Sequence, residues 1–238
     1  MTMTTQRPGT TDPETRPLDV AMVLRRTLPA VFVDPAPVLG GLALLVVLPG
    51  VVTRLVSVGS DGETLLVILR ALLAMFYAAM VAPIIVARVQ NRTIPLRAAV
   101  GRSTPGVKAA LLLGAAVVAG MTLHLFARHG SVAGWLLDSL LLSAALLGAS
   151  ILMPLVPVAV GEALSPLAAI RRAAALTSGN RNRILALALL GGFTLAPLAA
   201  LAFRAPGLWG PALFEGSAWF VAALLPALVY AGLLEGER

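Results

Sequence analysis

The sequence predicts an all-α fold: a polytopic membrane bundle of six transmembrane helices with short interfacial helices on the cytoplasmic side. The first observation is composition, because 58% of the 238 residues are hydrophobic, only 12% are charged, and the mean hydropathy is +0.92. Soluble domains carry about 25% charged residues, so this chain has too little polar surface to face water. The second observation is that six uncharged stretches approach the ~20 residues that cross the hydrocarbon core.

The first 18 residues differ from the rest of the chain because they are polar and rich in proline and threonine. They lack the apolar segment of a signal peptide, so we expect a disordered cytoplasmic tail. Residues 19–238 are expected to form one transmembrane domain. Its six spans are predicted at about 35–56, 64–88, 106–127, 134–161, 183–204 and 213–234. The second span is long enough only when its helix begins near Thr64 and includes Arg70.

The basic residues predict the orientation of the bundle. Fourteen of the eighteen Arg and Lys residues precede the first span, lie in the second and fourth loops, or end the chain. The opposite loops hold only Arg54, Arg128 and Arg204, and Arg70 lies within a span. We expect the protein to lie in the inner (plasma) membrane. Because cytoplasmic loops retain positive charge, both termini are expected in the cytoplasm. Membrane topology therefore explains the net charge of +7 better than nucleic-acid binding does.

A short amphipathic helix is predicted before the first span and another before the fifth. Asp19 is placed to cap the first helix and Pro29 to end it, after which Asp34-Pro35 begins the span. The second helix opens at Ser165-Pro166 and ends at Gly179, and Asn180 or Asn182 then caps the next span. We expect both helices to lie flat at the membrane surface, with their arginines toward anionic lipid headgroups.

These two regions align with an offset of 146 residues, which places Arg25 and Arg26 on Arg171 and Arg172. A third region before the third span has the same pattern, with Pro95 opening a helix and Thr104-Pro105 beginning the span. The pattern predicts three repeats of a basic helix followed by two spans, at a spacing of about 70–76 residues. Independent selection of arginines and caps at each membrane entry explains the pattern equally well.

Ionised groups within the spans are the best functional lead in a membrane protein, because each costs about 2.5–3.5 kcal/mol to insert at the bilayer centre. Arg70, Asp138 and Glu215 all fall near the side opposite the basic loops. An ion pair between Arg70 and either Asp138 or Glu215 is predicted, and it would lock two helices together. The alternative is that the three groups form a polar path for transport.

Residues that support metal or enzyme chemistry are few. His124 and His129 lie near Asp138, but their spacing matches no zinc signature. The chain has no cysteine and carries no sequence motif of a hydrolase, a metalloprotease or a nucleotide-binding loop. We therefore expect no catalytic, metal or cofactor site.

The passage from Met153 to Leu190 joins spans four and five and is predicted to form a structural elbow. Pro154 and Pro157 should bend the end of span four. Glu162 follows within reach of Arg171 or Arg172, so an ion pair would fix the angle between the two spans. The residues assigned to the elbow are Glu162, Arg171, Arg172, Thr177, Gly179, Arg181 and Arg183.

This passage resembles the membrane domain associated with bacterial glycerophosphoryl diester phosphodiesterases. The residues that carry the resemblance are Pro154, Pro157, Glu162, Ala169, Arg171, Arg172, Leu176, Thr177, Gly179, Arg181, Arg183 and Ile184. Ala173 departs from the pattern, which has a small hydroxyl residue there, and Ala174 often corresponds to a bulky aromatic residue. The resemblance extends more weakly over residues 18–235 and implies a six-span helical domain. It does not imply phosphodiesterase activity, because that activity belongs to a soluble barrel of about 250 residues.

Two functions of different kinds follow from these patterns. The first is a non-enzymatic membrane module that organises lipids, or an unidentified membrane-protein partner, through its cationic helices. The alternative is a small transporter or lipid-handling protein with a polar path near Arg70, Asp138 and Glu215. An intramembrane enzyme is a third hypothesis, and a metal bound at His124 and His129 would favour it.

Overall fold

The computed structural model confirms the all-α fold. It describes residues 17–32, 35–55, 60–127, 132–204, 207 and 209–236, and these residues contain helices and no strand. Six helical segments in this part of the chain are long and apolar enough to cross a membrane. They are Ala36–Leu55, Ile68–Val89, Leu96–Gly120, Gly134–Gly161, Arg181–Ala202 and Trp209–Gly236. The chain is therefore a multi-pass membrane protein.

The helices follow the predicted order along the chain. The first span begins with two π-helical segments, Ala36–Gly40 and Ala43–Val47, whereas a regular α-helix was predicted there. The α-helices are α1 (Val20–Phe32), α2 (Leu48–Leu55), α3 (Ser60–Val89), α4 (Leu96–Ala127), α5 (Val132–Leu152), α6 (Leu155–Gly161), α7 (Pro166–Leu176), α8 (Arg181–Arg204) and α9 (Trp209–Gly236).

Helices α3 and α9 form the centre of the bundle. Within the most apolar 18 residues of each span, 61% are buried in α3 and 44% in α9, against 11% in α8. Tyr77 and Ile85 of α3 and Val229 of α9 are fully enclosed by neighbouring helices. The outer helices expose large apolar side chains such as Leu140 of α5 and Phe193 of α8. A lipid environment accommodates these exposed side chains, and water would not.

Two of the three predicted short helices are separate elements. Helix α1 begins at Val20 and α7 at Pro166, which keeps the offset of 146 residues found in the sequence. The Asp19 carboxylate accepts a hydrogen bond from the Met22 backbone N–H at 3.0 Å, so Asp19 caps α1 as predicted. Asp34 lies outside the described residues.

Two predictions based on proline were wrong. Pro29 does not end α1, which continues to Phe32, and Pro105 does not begin a new helix, because α4 runs unbroken from Leu96 to Ala127. A proline inside a helix removes only its own N–H and kinks the axis, and the neighbouring turns can hold the helix together. The third short helix is therefore continuous with its span.

The fourth span is broken where the sequence places Pro154. Helix α5 ends at Leu152, a turn occupies Met153 and Pro154, and α6 continues the span to Gly161. At the end of α6 the Leu164 N–H donates to the Ala159 carbonyl at 3.1 Å, and Ala163 adopts a left-handed φ of +51°. This helix-ending turn usually contains glycine, since a side chain at positive φ is strained. The turn directs the chain from Glu162 into α7.

Candidate functional site

The first candidate site is the predicted elbow, in which Glu162 and Arg172 form an ion pair that Tyr230 joins. Arg172 Nε donates to both carboxylate oxygens of Glu162, at 3.1 Å and 3.2 Å. The Tyr230 hydroxyl donates to Glu162 Oε1 at 3.2 Å. One carboxylate therefore joins the end of α6, the middle of α7 and the last third of α9. Both charged side chains are about one third exposed, so solvent screens the pair in part.

The structure distinguishes between the two arginines that the sequence offered to Glu162. Arg172 makes the ion pair, whereas Arg171 is exposed. Tyr230 was not predicted, because it lies 68 residues after Glu162 and its hydroxyl has no sequence pattern that marks it. A methyl group on Gly161 would lie 2.9 Å from this hydroxyl, so the glycine before Glu162 lets the ring approach.

The remaining elbow residues end α7 and begin α8. Thr177 is fully buried, and its hydroxyl donates to the Ala173 carbonyl at 2.9 Å. Gly179 has a φ of +81°, a conformation that favours glycine. The Asn180 carbonyl accepts from the Ile184 N–H at 3.0 Å, which places Asn180 at the N-cap of α8. Arg181 is exposed at the first position of that helix.

The segment before α1 is hydrogen-bonded to the start of α8. The sequence did not predict this contact. The Leu18 N–H donates to Asn180 Oδ1 at 2.7 Å, and Arg183 Nη1 donates to the Leu18 carbonyl at 2.8 Å. The Leu18 side chain is buried. Leu18 therefore belongs to the folded domain and not to the predicted tail, of which residues 1–16 lie outside the described residues. The Asn180 side chain therefore binds the Leu18 backbone. Arg183 also binds that backbone, so contact with lipid headgroups is not its only role.

The second candidate site is a charged group that we call the Glu215 cluster, formed by Arg54, Arg70 and Glu215. Both arginines donate to the same carboxylate oxygen, Glu215 Oε2, and the distance from Arg54 Nη2 is 3.2 Å. Arg54 Nη1 also donates to the Gly50 carbonyl at 2.7 Å. The three side chains are 18–26% exposed. The cluster joins α2, α3 and α9.

Of the two ion pairs that the sequence offered to Arg70, the structure contains the one with Glu215. Asp138 is half-buried on α5, a helix that packs mainly against α4, α7 and α8. Arg54 was assigned to a loop and was missed as a partner, because only the folded bundle brings the end of α2 beside α9. The side chain of His124 and the whole of His129 lie outside the described part of the chain. Within that part, no group of three metal-binding side chains is found.

The two sites lie at opposite ends of the bundle. Glu215 and Tyr230 are fifteen residues apart on α9, which corresponds to roughly 22 Å along the helix axis. The elbow thus faces one membrane surface and the Glu215 cluster faces the other.

No family model, curated protein or solved structure matches the chain. The resemblance based on residues 154–184 accordingly stays a prediction.

Proposed function

We propose that this chain is a non-enzymatic module of the inner (plasma) membrane that gathers anionic lipids on its cytoplasmic surface. The site of contact is the basic face, which we define by exposed cations around the elbow end of the bundle. Its residues are Arg92, Arg97, Arg102, Lys108, Arg171 and Arg181.

The proposal depends on the absence of acidic residues from the two sequence segments that carry these cations. Segments 88–108 and 163–183 contain nine Arg and Lys residues and no Asp or Glu. Glu162, which adjoins the second segment, is occupied by Arg172. An exposed cation near an anionic membrane surface is worth about 1 kcal/mol of attraction. A surface with many cations and few anions therefore favours negatively charged headgroups.

Helices α7 and α4 hold this face in place. Arg171 lies next to Arg172, so the elbow fixes the helix that presents it. Arg97 and Arg102 lie in the first two turns of α4, which packs against α6 and α7. The arrangement supports lipid binding more than transport, because Arg70 and Glu215, two of the three groups of the alternative polar path, are paired with each other.

Lipid preference tests the proposal. The purified protein is incubated with an equal mixture of phosphatidylglycerol and phosphatidylcholine, and bound lipids are counted by native mass spectrometry. We expect the natural chain to retain mainly phosphatidylglycerol. A variant with Arg97→Gln, Arg102→Gln, Arg171→Gln and Arg181→Gln should lose most of it, because four charges are removed from the basic face.

The matched control replaces the same four arginines by lysine, which keeps each charge and should keep the preference. Retention of as much phosphatidylglycerol by the glutamine variant as by the natural chain would contradict the proposal.

Single-cysteine labelling tests the orientation. The chain has no cysteine, so Ser178→Cys in the turn after α7 and Arg204→Cys at the end of α8 each give one reactive thiol. In intact cells, a membrane-impermeant maleimide should label Arg204→Cys and not Ser178→Cys, since basic loops stay in the cytoplasm. Permeabilising the membrane should make Ser178→Cys reactive toward the maleimide. The reverse pattern would place the basic face outside the cell and remove the basis for a cytoplasmic lipid contact.

A further inference from the structure

The Glu215 cluster has more positive charge than its ion pairs need. Two guanidinium groups converge on one carboxylate, so the cluster keeps a net charge of +1. A single arginine would neutralise Glu215. Bringing a second one to the same oxygen adds repulsion between the cations and removes part of their hydration. The second arginine therefore requires an explanation beyond the joining of helices.

The cluster also has more hydrogen-bond donors than acceptors. Each guanidinium group carries five N–H donors. The acceptors that the structure places against them are Glu215 Oε2 and the Gly50 carbonyl. Arg70 Nε is buried and has no hydrogen-bond partner. A buried donor without a partner costs about 1–3 kcal/mol, so the described acceptors do not satisfy the donors of the cluster.

The cluster is accessible to a ligand from the membrane surface opposite the basic face. Its side chains are partly exposed, and Glu215 lies in the second turn of α9, about 9 Å along the axis from Trp209 at the start of the helix. Long arginine side chains near the end of a span extend outward to the interface, where the phospholipid phosphates of that leaflet lie.

We propose that Arg54 and Arg70, positioned by Glu215, form a binding site for a phosphate oxyanion. The planar fork of N–H groups on arginine matches the geometry of phosphate oxygens, and such charge-assisted hydrogen bonds are stronger than neutral ones. The phosphate is either that of a phospholipid headgroup or a free phosphate ion. This site is independent of the basic face, because it lies at the other end of the bundle.

Substitutions that change the charge in opposite directions test the site. Affinity for phosphatidylglycerol is measured by native mass spectrometry of the full chain, in a background with the four glutamine substitutions at the basic face. Arg70→Gln should weaken binding about tenfold, the equivalent of about 1.4 kcal/mol. Glu215→Gln should strengthen it, because both guanidinium groups are released for the phosphate.

Arg54→Gln provides a second weakened variant, in which Arg70 still neutralises Glu215. The matched control is Arg204→Gln, which removes an exposed charge from the same end of the bundle and should leave the affinity unchanged. Thermal unfolding shows which variants are folded. Equal affinity of the natural, Arg54→Gln and Glu215→Gln chains would overturn the proposal.

Two titrations with inorganic phosphate, one without lipid and one with phosphatidylglycerol already bound, distinguish the two sources. Binding of phosphatidylglycerol that phosphate does not displace identifies a lipid headgroup site. Binding of phosphate with the same order of variants identifies a free-ion site. If neither phosphatidylglycerol nor inorganic phosphate binds, the proposal is overturned. The preference of the basic face for anionic lipid is measured separately, so the two proposals can fail independently.

Discussion

Replacing Glu162 by glutamine is expected to lower the free energy of unfolding of the detergent-solubilised protein by about 1–3 kcal/mol. Glutamine keeps the size of the side chain and can still accept a hydrogen bond from Tyr230. It removes the charge that Arg172 pairs with at 3.1 Å. Loss of one partner of a fully buried pair costs more, but this pair is about one third exposed, so solvent compensates in part. Thermal unfolding in detergent measures the change.

The control for this substitution is Arg171→Gln. Arg171 lies next to Arg172 on α7 and is exposed, so its removal changes the charge and leaves the ion pair with Glu162 in place. Stability should change by less than about 0.5 kcal/mol. A double-mutant cycle with Glu162→Gln and Arg172→Gln should give a coupling energy of about 0.5–3 kcal/mol. A coupling energy near zero would show that the ion pair does not stabilise the junction.

The spans were predictable because the physics that defines them is local. A helix that crosses a bilayer needs an uninterrupted apolar stretch, and composition over about 20 residues reports it directly. The starts of α1 and α7 were predictable for a similar reason, since Asp19 and Ser165 precede their helices immediately. The pairing of Glu162 with Arg172 spans only ten residues and one turn, so short-range geometry nearly determined it.

Proline interrupts the helix at one of these positions and not at two others, and the difference has a physical reason. Pro154 coincides with a break in its span, whereas Pro29 and Pro105 lie inside continuous helices. The missing N–H is the same in all three, and packing decides whether the helix continues. Sequence alone does not report how α4 is supported by α3 and α6 on either side of Pro105.

The contacts that were missed join distant parts of the chain. Tyr230 reaches Glu162, Arg54 reaches Glu215, and Asn180 binds Leu18 across 68, 161 and 162 residues respectively. Each depends on which helices are neighbours in the bundle, and no periodicity encodes that. The excess of arginine over carboxylate in the Glu215 cluster became visible only when α2, α3 and α9 were placed together.

Replacing Gly106 by leucine is expected to cause the largest loss of stability, about 3 kcal/mol or more, at the upper end of the range for overpacked cores. Gly106 lies in α4 where it crosses α3 and α6. A Cβ atom there would overlap Val160 of α6 and come within 3.0 Å of the Ala79 Cβ of α3. Neither neighbour is the far end of a long, flexible side chain, so the helices must separate. Thermal unfolding of the solubilised variant measures the loss.

Gly101→Leu is the matched control, because Gly101 lies on the same helix and a Cβ atom there would meet nothing within 4 Å. Leucine favours the helix over glycine, so this variant should be unchanged or more stable by up to about 1 kcal/mol. Equal losses for the two variants would show that α4 does not pack closely at Gly106. Val160 lies two residues before Glu162, so a displaced α6 should also move the carboxylate away from Arg172. The coupling energy between Glu162 and Arg172 should therefore fall in the Gly106→Leu background and remain unchanged in the Gly101→Leu background.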